Sequence, residues 1–213
     1  MTYLEIVNKV LIRLRENEVT SVQDTPYSKL IGELVNVVKR EVEDSWAWSA
    51  LRTTVTVTTV ASASNYTLTS YGVRTRLIDV INDTSNYALS YQTTKWFDKE
   101  FLITPLVYGE PAYYNLNGYS IDGFSKVDLY PVPNSVQEVR FNAVNPQVDL
   151  DDNADIIQVP YQIVIEGALA RAISERGDDG GYTEQEARYQ RIASDLIAFD
   201  AGNRPDETIW SFV

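Results

Sequence analysis

Thr53-Thr54-Val55-Thr56-Val57-Thr58-Thr59-Val60 is where the chain changes texture. β-Branched side chains lose little in an extended backbone and pack well on a pleat, so this stretch reads as a strand with one threonine-rich, wetter face. Further short strands are expected at 65–69, 74–81, 86–91, 111–117, 126–130 and 137–144. Turns containing Ser, Asn, Gly and Pro divide them at the spacing of all-β modules. A short helix from Lys95 to Phe101 interrupts the series, and tyrosines from Tyr66 to Tyr130 suit half-exposed strands.

Upstream of this region the period is helical. Thr2 opens a first helix, where its hydroxyl can cap free amides while Glu5 reaches back to form a capping box. Tyr3, Ile6, Val7, Val10, Leu11 and Leu14 then recur at three- and four-residue spacing and share one stripe. Thr25-Pro26 announces a second helix, with proline at the first helical position, where its missing amide costs nothing. Its stripe is Tyr27, Ile31, Leu34, Val35, Val38, Val42 and Trp46, and the two helices are expected to form an antiparallel hairpin.

Downstream, an acidic loop at 149–155 is followed by Pro160, which opens a third helix. Ile163, Val164, Ile165, Leu169 and Ile173 alternate there with Gly167, Ala168, Ala170 and Ala172, so another helix can approach closely and this helix should be the most buried. Gly177 stops it and Asp178-Asp179-Gly180-Gly181 reads as the turn. Thr183 and Glu186 read as a second capping box, opening a fourth helix with a stripe of Tyr189, Ile192, Ala193, Leu196 and Ile197. The fold expected is α+β, in which N- and C-terminal helix pairs (1–51 and 159–202) form a discontinuous four-helix bundle. An antiparallel β module, sandwich- or barrel-like, is inserted at 52–158, and 203–213 is an extended C-terminal docking tail.

The 213 residues are 44% hydrophobic, enough for one compact or split body with a real core. There is no histidine and no cysteine, which removes the commonest general base, the commonest metal ligand, the thiol nucleophile and every disulfide. Net charge is -12, and residues 146–213 alone hold 5 basic against 14 acidic groups, nine of the twelve excess negative charges. A protein that grips nucleic acid by neutralising phosphates needs the opposite sign. The amino terminus has no secretory pattern and no apolar run approaches the roughly 20 residues of a membrane span. Residence in a reducing cytoplasm, or in a particle assembled there, is the expectation.

Several local patterns carry both a functional and a plain structural reading. Asp149-Leu150-Asp151-Asp152-Asn153-Ala154-Asp155 starts like a calcium loop, but Ala154 stands where glycine is needed and Pro160 where a bidentate glutamate is needed. A solvated acidic turn is the better reading, and no metal or cofactor is expected. Arg176-Gly177-Asp178 spells an adhesion tripeptide that helix termination already explains. Glu43 with Asp44, and Asp178 with Asp179, have the carboxylates of a glycosidase but sit at helix ends, where such groups are usually solvated. With no phosphate-cradling or nucleophile-elbow pattern, no enzyme activity is expected. Trp46-Ala47-Trp48 and Trp96-Phe97 are read as rings cementing helices to β module, with a sugar-stacking platform as the alternative. Ordering Asn203–Val213 offsets most of what burying Trp210 and Phe212 returns. That tail is therefore expected to be fixed only by a groove or strand edge that adds hydrogen bonds, its own helices being the alternative.

Four segments, taken in order, resemble the head-to-tail adaptor proteins of tailed bacteriophages. They are Tyr3-Leu4-Glu5-Ile6-Val7-Asn8-Lys9-Val10-Leu11 with Arg13-Leu14-Arg15, the helix ending Val42-Glu43-Asp44-Ser45-Trp46-Ala47-Trp48, Asp128-Leu129-Tyr130-Pro131-Val132-Pro133, and Ala170-Arg171-Ala172-Ile173-Ser174-Glu175-Arg176-Gly177-Asp178-Asp179-Gly180-Gly181. The order of elements is also similar to the tail tubular A proteins of short-tailed phages. The resemblance implies a homo-oligomeric ring, usually of twelve copies, beneath the portal protein and carrying the next tail or nozzle protein. Such a ring continues the channel for double-stranded DNA, without sequence-specific binding, and helps retain the packaged genome. It implies a virion location, with host cytoplasm during assembly and no membrane contact, and portal docking through Ile209, Trp210, Phe212 and Val213. An acidic wall that repels phosphates agrees with sliding DNA, and like-charged subunits should need the portal as a template. A carbohydrate-binding or fibre-associated module and a small hydrolase are the competing classes.

Overall fold

The computed structural model describes residues 1–177 and 179–203. Two compact units are present, one made of Met1–Leu51 and the chain from Pro146 onward, the other of Arg52–Asn145. In chain order the elements are α1 (Tyr3–Arg13), α2 (Pro26–Ser45), β1 (Arg52–Thr58), β2 (Asn65–Leu68), β3 (Arg76–Asn82), β4 (Tyr87–Ala88), β5 (Ser90–Tyr91), α3 (Thr94–Phe101), β6 (Tyr108–Gly109), β7 (Tyr113–Tyr119), β8 (Ser125–Tyr130), β9 (Val132–Pro133), β10 (Glu138–Val144), α4 (Tyr161–Glu175) and α5 (Asp179–Gly202).

In the helical unit α1 begins as its capping box requires. Thr2 Oγ1 accepts from the Glu5 amide at 3.3 Å, and Glu5 Oε2 accepts from the Thr2 amide at 2.9 Å. Tyr3, Ile6, Val7, Val10 and Leu11 are buried along one stripe, as are Ile31, Val35, Val38 and Val42 of α2. α4 is central: it packs against α1, α2 and α5, and residues 163–170 are buried all round the helix. The sequence permits this through Gly167. A Cβ there would lie 2.6 Å from Val38 Cγ1 and 2.9 Å from Tyr189 Cε2, so both flanking helices close on bare backbone.

Polar contacts hold the helices in register. Glu166 of α4, 4% exposed, accepts from Arg13 Nη1 at 2.7 Å and from Gln185 Nε2 at 2.6 Å, with Arg188 Nη2 at 3.4 Å. Burial pushes its pKa up, but the Arg13 and Gln185 hydrogen bonds and the two guanidiniums prevail and hold it below the ordinary glutamate value. Arg176 caps the far end of α4 on Glu16 at 2.5 Å and the Tyr27 hydroxyl at 2.7 Å.

Two boundaries differ from the sequence reading. Residues 146–158 belong to the helical unit and not to the β module, because Lys39, Asn36 and the start of α1 bind their backbone. α5 starts at Asp179, so Gly180 and Gly181 lie inside the helix and Thr183 is not its cap. Gly177, at φ 71°, supplies the left-handed residue that ends α4, which leaves little turn for the following residues to make.

The β unit holds two four-stranded sheets, ordered β1-β10-β3-β4 and β2-β8-β7-β5, and a two-stranded β6-β9 pair. Neither four-stranded sheet closes on itself, so the barrel-like alternative does not describe it. The expected strand 86–91 is two short strands: β4 pairs with β3, the chain turns at buried Leu89, and β5 joins β7 in the other sheet. β5-β7 and β6-β9 are parallel pairs in an otherwise antiparallel unit. Leu68, Val80, Val127, Leu129, Val139 and Phe141, from both sheets, form one core with Tyr71. The single Tyr71 hydroxyl proton is shared between the carbonyls of Phe141, at 2.8 Å, and Thr53, at 3.1 Å.

Gly167→Ala is expected to cost about 1–3 kcal/mol by overpacking, measured as a lower urea midpoint. Glu166 predicts a pH dependence. Its folded pKa lies below the unfolded value, so its stabilisation is complete above the ordinary glutamate pKa of 4.5 and is lost as pH falls through the folded value. Glu166→Gln should therefore lower stability at neutral pH, and the gap from wild type should shrink as the pH drops below about 4.

Candidate interaction surfaces

The acidic segment is built into the helical unit rather than displayed as a ligand cup. Asp149 accepts from Arg40 Nε and Nη2, both at 2.8 Å, and this pairing raises the Arg40 pKa. Asp155 Oδ2 accepts the amides of Asp151 and Asp152 at 2.9 Å each. Asn153 Oδ1 takes the Val22 amide at 3.0 Å, while the carbonyls of Asn153 and Asp155 receive the amides of Leu4 and Tyr3. The side-chain oxygens of Asp149, Asn153 and Asp155 are thus engaged within the helical unit, and among the described residues no group of three or more such side chains is placed to hold a metal. Burial, with Glu33, Asp151 and Asp149 nearby, pushes the Tyr3 phenol up to about 12.

The four aromatic residues singled out by sequence lie in two settings. In the helical unit Trp46 Nε1 donates to Asp200 Oδ2 at 2.8 Å, and buried Trp48 donates to the Val42 carbonyl at 2.6 Å. In the β unit Trp96 and Phe97 stand on α3 inside a ring cluster. Trp96 lies edge-on to Phe97 and Tyr130, at 5.3 Å from each, and tilted on Tyr113 at 4.9 Å. Phe97 and Tyr130 also meet Phe101. Tyr130 donates to Glu100 at 3.1 Å, and burial raises its pKa. These tilted, mutually packed rings do not offer the flat pair that a sugar face needs. Tyr114 of β7 is likewise buried, edge-on to Tyr91.

Two readings at helix ends also resolve into structure. Arg176 of the adhesion tripeptide is engaged with Glu16 and Tyr27, and Glu43 is fully buried against Lys39 at 3.0 Å. Asp178, like Ile209, Trp210, Phe212 and Val213, lies outside the described residues.

What the surface does offer is apolar side chains with no work inside their own unit. Phe101-Leu102-Ile103-Thr104-Pro105-Leu106-Val107-Tyr108-Gly109 has no charged residue, and Leu102 is 82% exposed, with Ile103, Val107 and Tyr108 also exposed. Ile121 stands fully exposed at the tip of the β7–β8 hairpin. In the helical unit an open groove of about 630 Å³ runs between α4 and α5, lined by Ile173, Glu184, Gln185, Arg188 and Arg191. A second, of about 490 Å³, lies beside α1 with exposed Ile12 and Tyr161. The exposed apolar residues suit contact with other proteins. The sequence signal for the 101–109 loop was its missing charge, which motif reading passes over.

Calcium should find no site at 149–155. Calorimetric titration into the low millimolar range is expected to give no saturable heat, whereas Asp155→Ala should lower stability by about 1–2 kcal/mol through the two amides it releases.

The model of the SU10 adaptor protein family matches residues 1–208. No curated protein matches the chain.

Proposed function

We propose that this chain, which belongs to the SU10 adaptor protein family, forms a ring between portal and tail in a tailed bacteriophage. The family makes it a structural adaptor of a phage virion, with portal and tail proteins as its general partners. The finer reading is twelve copies lining a continuous DNA channel and helping to hold the packaged genome, in an element order shared with tail tubular A proteins. The observation that carries it is the extent of the family match, which includes the helical unit, the inserted β unit and most of the C-terminal segment.

Physical chemistry supports the reading in two ways. A wall rich in carboxylates repels phosphate, so DNA passes without being gripped. A subunit at -12 repels its copies, so assembly is favoured by a preformed collar and by salt, which shortens the range of repulsion. We read the protein as a part without turnover of its own.

Purified protein mixed with its portal and imaged by electron microscopy should show a closed ring seated on the portal, with isolated protein largely monomeric at low salt. A portal that takes up none of the protein sinks the adaptor reading. A stable ring at low salt without portal sinks only the templating.

A further inference from the structure

β1 is the longest edge strand of the β unit, and past Arg52 at its start it has no charge, proline or bulge to protect the edge. It pairs with β10 in seven regular steps, Arg52↔Val144 to Thr58↔Glu138, with no bulge between them. Its other side carries no strand among the described residues. Edge strands are ordinarily blunted by charge, proline, a bulge or shortness. The other outer strands, β2, β4 and β5, are four residues or fewer. From Thr53 to Val73 the chain runs 21 residues without a charged side chain. The inward residues Val55 and Val57 pack on the core but stay half-buried, as they would if a neighbouring strand were missing.

The chain itself contains a segment that fits. Past Asn203 ten residues follow, ending Thr208-Ile209-Trp210-Ser211-Phe212-Val213, with no charged side chain and mostly β-branched or aromatic residues. Six residues span about 20 Å against about 24 Å for β1. In a strand, alternation would put Trp210 and Phe212 on one face, two residues apart, as Val55 and Val57 are on β1.

We propose that the β1 edge receives the C-terminal Thr208–Val213 segment of a second copy as an added antiparallel strand, Trp210 and Phe212 covering Val55 and Val57. Every copy carries one edge and one tail, so a ring uses each once in identical head-to-tail contacts. Both partners are uncharged along their contact, which lets two subunits of the same sign meet. This rests on the ring reading above. It gives Ile209, Trp210, Phe212 and Val213 a copy-to-copy role in place of portal docking.

The test uses the chain truncated after Asn203 and a synthetic Asn203–Val213 peptide. The peptide should bind saturably, one per chain, and slow amide exchange in 52–58. A Ser211→Pro peptide, which leaves the receptor untouched, should bind at least about tenfold more weakly. At high salt, where repulsion between copies is screened, full-length protein should gain mass with concentration in sedimentation, and the truncated chain should not. Absence of peptide binding, protection at the α4–α5 groove instead of β1, or indifference to Ser211→Pro overturns the proposal. Full-length protein that stays monomeric with β1 already protected means the tail serves its own chain, and overturns the second copy as occupant. None of these outcomes involves the portal, so failure here leaves the portal-binding result standing on its own.

Discussion

A helical unit interrupted by a β unit must be closed where the chain returns, and here that closure is ionic. Lys39 and Glu43, one turn apart on α2, are both fully buried and 3.0 Å from each other. Lys39 Nζ donates to the Gln147 carbonyl at 2.8 Å, and the Gln147 amide donates to Glu43 at 3.2 Å. Burying an ion costs several kcal/mol, recovered only when charge and hydrogen bonds are satisfied together. Gln147 completes that satisfaction, so the returning strand has one low-energy place to lie. Three residues on, the Asn36 side-chain amide grips Leu150, Nδ2 donating to its carbonyl and Oδ1 accepting its N–H, both at 2.9 Å, and the acidic segment then ties to the start of α1. α4 begins from a position fixed by these contacts.

The same polar economy explains why α4 carries Glu166 in an otherwise apolar sequence. A helix covered on three sides has no face left for a solvated charge, and Glu166 is satisfied by groups from α1 and α5 at once. It therefore fixes the rotation of two neighbours that apolar contact alone would leave free to slide. Pairing leaves the net charge at -12 unaltered, but exposed carboxylates such as Glu175, Glu184 and Asp195 sit on α4 and α5. Repulsion between copies is thus strongest at the helical unit. The β unit, with 6 basic and 8 acidic residues over 53–145, meets less of it.

Local chemistry was legible where it acts over three or four residues. Thr2 with Glu5, Thr25 with Pro26 and the stripes of α1 and α2 stand as read, and β-branched runs marked most strands within two residues. What escaped was non-local. The acidic turn of Asp149–Asp155 does face solvent at Asp149, Asp151 and Asp152, but nothing in it reveals that Asn36, Arg40 and Val22 wait for it. Gly180-Gly181 looked like a turn although both lie inside α5, and the neighbour of Gly181 is non-local: a Cβ there would lie 3.9 Å from Ile173 of α4. The parallel pairs β5-β7 and β6-β9 are two residues long, too short for any period to register.

An adaptor gives sequence reading little to hold because its chemistry is association, and association is written as the omission of safeguards. A lone soluble β protein would place a lysine on the β1 edge and break the 101–109 loop with a charge, since either bare surface invites the wrong partner. Here Thr53–Thr58, past the single Arg52 that opens β1, and the 101–109 loop carry no charge within a chain that is 23% charged, and both lie in the β unit, where the net charge is smallest. The distribution fits the proposed ring: acidic helices would keep free subunits apart, and the uncharged strand and loop would receive a partner once something brings it near. The cost is aggregation risk in the unassembled state, and the charge on the remaining surface offsets it by keeping encounters brief until the particle supplies the right geometry.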